Sequence, residues 1–87
     1  MITKIYDFYS TSCGPCKMLM QHLNKVADVY PEIIIEKFDE NCTDKQKEFN
    51  IRSVPVLVFF DENNNEVERI EKAVPHNVII DVIKKNA

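Results

Sequence analysis

This chain is short of the residues that most often punctuate a fold. It has one glycine, Gly14, in 87 residues, and no tryptophan. Turns must therefore draw on Asn, Asp and Pro, and Asn63-Asn64-Asn65 reads as one such turn. No apolar run approaches the roughly 18 residues of a membrane-spanning helix, and no basic segment precedes an apolar one near the N-terminus. Positive charge is also scarce. Eleven Lys and Arg against 14 Asp and Glu leave a formal charge of −3, which argues against nucleic acid, whose phosphates need a basic surface. Three cysteines, an odd number, close no disulfide framework, and in a reducing compartment a close pair points to redox or metal chemistry. These deficits predict a cytoplasmic monomer with no membrane and no nucleic-acid partner. With 45% apolar residues, the chain is read as one domain over 1–87.

What the chain does have is Thr11-Ser12-Cys13-Gly14-Pro15-Cys16-Lys17. The apolar run over 2–9 predicts a strand before it, with Ile5 and Phe8 in the core. After it, Leu19, Leu23, Val26, Ala27 and Tyr30 recur at steps of three and four, which predicts a helix over 14–29 stopped by Pro31. The cysteines therefore fall on the first turn of a helix. First-turn N–H groups lack intrahelical acceptors and carry the positive end of the helix dipole, so a thiolate at Cys13 is favoured there. Pro15 fits, because a first turn does not use the N–H it lacks. Cys16 lies one turn further in, within reach of a disulfide to Cys13.

The remaining pattern is regular. Ile33 to Phe38 reads as a parallel strand covered on both faces, and Thr43-Asp44-Lys45-Gln46 reads as a capping box opening a short helix to Phe49. Asn50 suits a left-handed helix end. Val54 to Phe60 and Glu66 to Ile70 predict a hairpin closed by Asp61–Asn65. Pro75 then opens a last helix with Val78, Ile79, Val82 and Ile83 on one face, and Lys84 and Lys85 complement its dipole. The order β-α-β-α-β-β-α predicts an α/β fold. Its sheet has four strands and is mixed, a parallel βαβ unit plus an antiparallel hairpin, with helices on both faces.

Cys-Gly-Pro-Cys-Lys after a strand resembles the thioredoxin family, and further residues extend the resemblance. Asp7, six residues before Cys13, matches the family's buried aspartate, and Arg52-Ser53-Val54-Pro55 resembles the segment ending in its cis-proline. The resemblance implies a short form of the thioredoxin fold, without the first strand and first helix and close to a glutaredoxin in outline. It implies a thiol–disulfide oxidoreductase in which Cys13 attacks a substrate disulfide, Cys16 resolves the mixed disulfide, and Asp7 takes the Cys16 proton. It also implies that Pro55 is cis and faces Cys13. Ser12, Gly14, Val54, Pro55, Lys72 and Ala73 would then frame the substrate-binding surface, with the Val54 backbone free to pair with an extended segment. No bound cofactor is implied. Electrons would come from an NADPH-dependent flavoprotein, a thioredoxin reductase, and go to disulfide-containing proteins, ribonucleotide reductase among them.

Several positions depart from the family. Ser12 replaces the usual Trp and is expected to cap the helix instead. Ile35 stands where the family has a lysine near the aspartate, which predicts a carboxyl without a cationic neighbour. Lys72 replaces a glycine, as a solvated lysine or as a cation favouring acidic partners. Cys42, His22 and His76 read as structural or surface residues. Two other readings of the pair stay open, a glutathione-dependent glutaredoxin-like enzyme and a non-catalytic zinc-binding or docking module. Against zinc, Cys42, His22 and His76 form no second close pair to complete four ligands. Against the glutaredoxin stands the absence of Cys-Pro-aromatic-Cys.

Overall fold

The computed structural model describes all 87 residues as β1 (Ile2–Phe8), α1 (Gly14–Val29), β2 (Ile34–Phe38), α2 (Thr43–Glu48), β3 (Val56–Asp61), β4 (Glu66–Ile70) and α3 (His76–Lys85). The strands form one sheet in the order β2-β1-β3-β4, with β1 and β2 parallel and the other pairings antiparallel. This is the mixed sheet the pattern predicted. Side chains of β1 alternate between its faces. Ile5 joins Leu19, Leu23 and Val26 of α1 and Ile79, Val82 and Ile83 of α3 in the larger core. A register shift between Ile2 and Lys4 brings Ile2 into the same cluster. Tyr6 and Phe8 point the other way, into a second core with Val56, Val58 and Phe60. Phe49, at the end of α2, closes that face with its ring 5.4 Å from Tyr6 and edge-on. Helices thus lie on both faces, two on one and a single short one on the other.

Three local expectations are corrected. β2 is not covered on both faces: it is an edge strand, with Ile34 59% exposed and Glu36 and Lys37 open to solvent. Only β1 flanks it, and the six residues of α2 are too few to roof it, so of the three consecutive isoleucines only Ile33 is buried. Thr43 is no cap either. It is the first helical residue, Cys42 holds the N-cap position without a side-chain bond, and the Gln46 amide donates to the Asp39 carbonyl instead. Finally, β3 begins at Val56 rather than Val54.

The scarcity of glycine is met by asparagine. Both residues with positive φ other than glycine are Asn50 (55°) and Asn64 (63°), and Gly14 is not in that region. The Asp61 carboxylate accepts from the N–H groups of Asn63 and Asn65, each at 2.9 Å, and folds the hairpin turn. At the end of α2, Asn50 N–H donates to Lys47 and Ile51 N–H to Gln46, the paired bonds of a Schellman end. Asn50→Val should therefore cost about 1–2 kcal/mol, whereas Asn50→Gly should be close to neutral. Urea unfolding of the two variants checks this.

Candidate active site

Cys13 is the N-cap of α1, and its sulfur accepts the N–H of Cys16 at 3.2 Å. The expected cap, Ser12, is displaced from that role. Its hydroxyl lies 3.1 Å from that of Ser10, both exposed, because the backbone turns into the helix one residue later. An N–H from the first turn therefore points at the sulfur itself, where it stabilises negative charge more than it would a neutral thiol. Cys13 and Cys16 form a disulfide, with their Cα atoms 5.3 Å apart. Burial separates them: Cys13 is half-exposed, and Cys16 retains 1% of its accessible surface. One sulfur can meet a partner's disulfide, and the other can reach only its neighbour.

Asp7 is the one buried charged residue, 1% exposed, and neither carboxyl oxygen has a hydrogen-bond partner. It lies two positions after Ile5 on β1, hence on the face that α1 covers and on which Cys16 is buried. Burial pushes its carboxyl up from 3.8 to about 6, against the opposing pull of the Lys37 charge. The expectation of no cationic neighbour is corrected here. Lys37, directly across from Asp7 in the parallel ladder, supplies the charge that Ile35 lacks. Ile35 and Lys37 share one face of β2, and the register of the ladder decides which of them lies across from Asp7.

The Val54–Pro55 bond is cis, and Pro55 is buried just before β3. Phe8 and Val56 are register partners, so Pro55 lies at the end of the sheet from which the chain runs to Cys13. Val54 is half-buried and outside the β1–β3 ladder. A side chain added at Gly14 would meet nothing within 4 Å, which leaves the space beside the disulfide open. Ala73 lies with Val74 and Pro75 against Met18, Leu19 and His22, around a hollow on the flank of α1. Lys72 is exposed and lines the groove between β4 and α3 rather than this hollow. No three His, Cys, Asp or Glu side chains converge in a geometry that could hold a metal ion, so a zinc site here would rest on two cysteines.

The Thioredoxin family profile matches residues 2–85. The chain belongs to the thioredoxin family. It is 40% identical over 55 residues to the mitochondrial thioredoxin-3 of Saccharomyces cerevisiae, an alignment covering 62% of this chain and 43% of that protein. Against a thioredoxin of Chlamydia muridarum it is 32% identical over 83 residues, covering 94% of this chain and 80% of the relative. The crystal structure of oxidised mitochondrial thioredoxin 3 from S. cerevisiae matches with a TM-score of 0.83 at 32% identity, over 94% of this chain and 76% of that one. The chain thus spans less than half of one relative and four-fifths of another.

Two contacts around the thioredoxin motif were not legible in the sequence. Thr11, two residues before Cys13, gives its N–H and its hydroxyl to the two carboxyl oxygens of Glu40, at 3.0 and 2.5 Å. Those bonds hold the Glu40 carboxyl below its ordinary range and tie the loop before Cys13 to the loop after β2. His22 and His76 meet across the α1–α3 interface, with Nδ1 atoms 3.1 Å apart and rings stacked. Both contacts link residues far apart in the chain, with no motif spacing to reveal them.

Proposed function

We propose that this chain reduces protein disulfides through the Cys13–Cys16 couple, with Asp7 as proton acceptor. The Cys13 thiolate attacks one substrate sulfur, and the substrate S–S bond breaks, releasing the other sulfur as a thiolate. Cys16 passes its proton to Asp7 and attacks Cys13; the Cys13–Cys16 bond forms and the second substrate sulfur leaves. Two electrons pass from the dithiol to the substrate. The family's usual supply returns them: a thioredoxin reductase, itself reduced by NADPH. The observation that carries this reading is the contrast within the pair, one sulfur open and facing an N–H of the helix and the other enclosed.

Ser12, Gly14, Val54, Pro55 and Ala73 form the proposed docking surface, where a substrate segment lies extended along Val54. We place the chain in the cytoplasm as a single-domain monomer, with ribonucleotide reductase among its targets. No helix is long and apolar enough to cross a membrane, while relatives include mitochondrial and chloroplastic thioredoxins. Insulin reduction driven by NADPH and thioredoxin reductase tests the function. Activity only with glutathione would favour the glutaredoxin-like alternative, and zinc retained by the reduced protein without turnover would favour the binding module.

Lys72 is proposed as a rim charge that speeds encounter with acidic partners. Lys72→Gly should then slow reduction of a disulfide peptide with acidic flanks by roughly threefold at low salt, and leave one with neutral flanks unchanged. Stopped-flow rates at two ionic strengths check this, and equal rates for both peptides would leave Lys72 as a solvated lysine.

A further inference from the structure

His76 is the first residue of α3, so its N–H has no acceptor within the helix. The N-cap residue is Pro75, whose side chain has no oxygen to offer, and no side-chain bond is made there. The acceptor comes from another helix. His22 Nδ1 lies 3.1 Å from the His76 backbone nitrogen, and the same Nδ1 lies 3.1 Å from His76 Nδ1. One nitrogen thus faces two donors. This fixes the protons: His22 carries its hydrogen on Nε2 and His76 on Nδ1. The arrangement requires His22 to be neutral. A side chain with no lone pair at this point would leave the His76 N–H without its acceptor.

The position of this bond gives it a consequence. His22 sits on α1, the helix that carries both cysteines, and it borders the hollow formed with Met18, Leu19, Ala73, Val74 and Pro75. Ala73 belongs to the proposed docking surface, and Pro75 directly precedes the capped residue. We propose that His22 is a positioning residue for protein-disulfide docking: its neutral imidazole caps α3 and holds the Ala73–Pro75 loop against α1. Loss of the His22 acceptor releases the loop and weakens docking, while the sulfur chemistry at Cys13 is untouched. This rests on the disulfide-reductase reading and adds to it a residue that controls substrate affinity.

Few other charges surround the pair. On α1, Met18, Leu19 and Val26 are apolar neighbours within about a turn, and Lys25 is exposed. The loop contributes uncharged Ala73, Val74 and Pro75, with exposed Glu71 and Lys72 behind them. On α3, Asp81 lines the groove on the β4 side, so His76 is the titratable group facing His22. The sheet face below carries Asp7, Lys37 and Glu68, the last paired with Lys85.

The test compares the full chain with His22→Leu, which has no acceptor, and His22→Gln, which keeps one. Amide hydrogen exchange at His76 reads the cap. KM for insulin reads docking, and the rate with a small aromatic disulfide reads the sulfur chemistry. At pH 8, His22→Leu should lose roughly tenfold in His76 protection and raise the insulin KM roughly fivefold, with the small-disulfide rate unchanged. His22→Gln, which keeps an acceptor, should hold both the His76 protection and the insulin KM near the native values. Native protection of His76 in His22→Leu would overturn the cap. An exposed amide with an unchanged insulin KM would overturn the docking role. If no form reduces insulin or the small disulfide, the reductase reading and the docking role fall together, and the amide measurements still decide the cap.

Discussion

Replacing Cys16 with serine should convert the protein into a covalent trap. After the reduced variant is mixed with a protein disulfide, Cys13 still attacks, and the mixed disulfide accumulates because no enclosed thiol stands behind it. Release then depends on an external thiol, which lacks the effective concentration of a neighbour whose Cα is 5.3 Å away. Turnover should fall on the order of a thousandfold or more. Mass spectrometry after acid quench should find the substrate joined at Cys13, and Cys13→Ser should form no adduct. The exposures dictate this order of events, since Cys16 at 1% cannot reach a partner's sulfur without the helix opening. Accumulation of an adduct at Cys16 in the Cys13→Ser variant would reverse the roles of the two residues. Cys42, half-buried at the entrance to α2, provides a further check, because Cys42→Ser should leave both results unchanged.

Asp7→Asn should have two effects of opposite sign. The resolving step should slow on the order of a hundredfold, because Cys16 loses the group that accepts its proton in a poorly solvated place. The first attack should change little, since it starts from a thiolate stabilised by the helix terminus. Stopped-flow traces separate the two steps, and equal slowing of both would remove Asp7 from the mechanism. Stability should move the other way. The folded protein holds the Asp7 proton more tightly than the unfolded chain does, with about 6 against an ordinary 3.8. Between those values the folded state binds more protons, so stability falls as the pH rises. The penalty is absent below about pH 4 and fully present above about pH 6, where the difference corresponds to about 3 kcal/mol. Asp7→Asn should remove most of it, and so be more stable than the native protein at pH 8 but not at pH 4. Urea titrations at the two pH values measure this. A native protein whose stability does not fall between pH 4 and pH 7 would mean that the carboxyl finds partners or water.

The two effects share one cause. A carboxyl placed where nothing bonds it costs stability at neutral pH, and the same isolation gives it an affinity for protons suited to taking one from a buried thiol. Lys37 limits how far that goes. Its charge across the ladder pulls the value back down, so Lys37→Met should raise it further. The same register that places Lys37 there leaves the rest of β2 open at the sheet margin.

Much of this molecule was legible in the chain itself, and the reasons are local. The helix over 14–29 follows from apolar spacing and from Pro31. The cysteine pair at a strand-to-helix junction follows from what flanks it, and the asparagine turns follow from the shortage of glycine. Each depends on residues within one or two turns of one another. The errors arose where the environment is made by distant segments. Ile34 reads as buried but lies on an edge, because a β-branched run carries no information on how many strands flank it. Ser12 reads as a cap, yet the backbone enters the helix one residue later and gives that position to Cys13. Lys37 as the neighbour of Asp7, Glu40 as the anchor of Thr11 and His22 as the cap of α3 depend on sheet register and helix packing.

The order of elements, the redox pair and its place on a first turn were determined by the sequence alone, because periodicity and spacing act over short stretches of chain. Tertiary structure decided which sulfur is exposed, how far the buried carboxyl is perturbed, and that two histidines 54 positions apart meet at their Nδ1 atoms. Solvent exclusion and hydrogen-bond partners at these sites are properties of the assembled sheet and helices, and no segment carries them by itself.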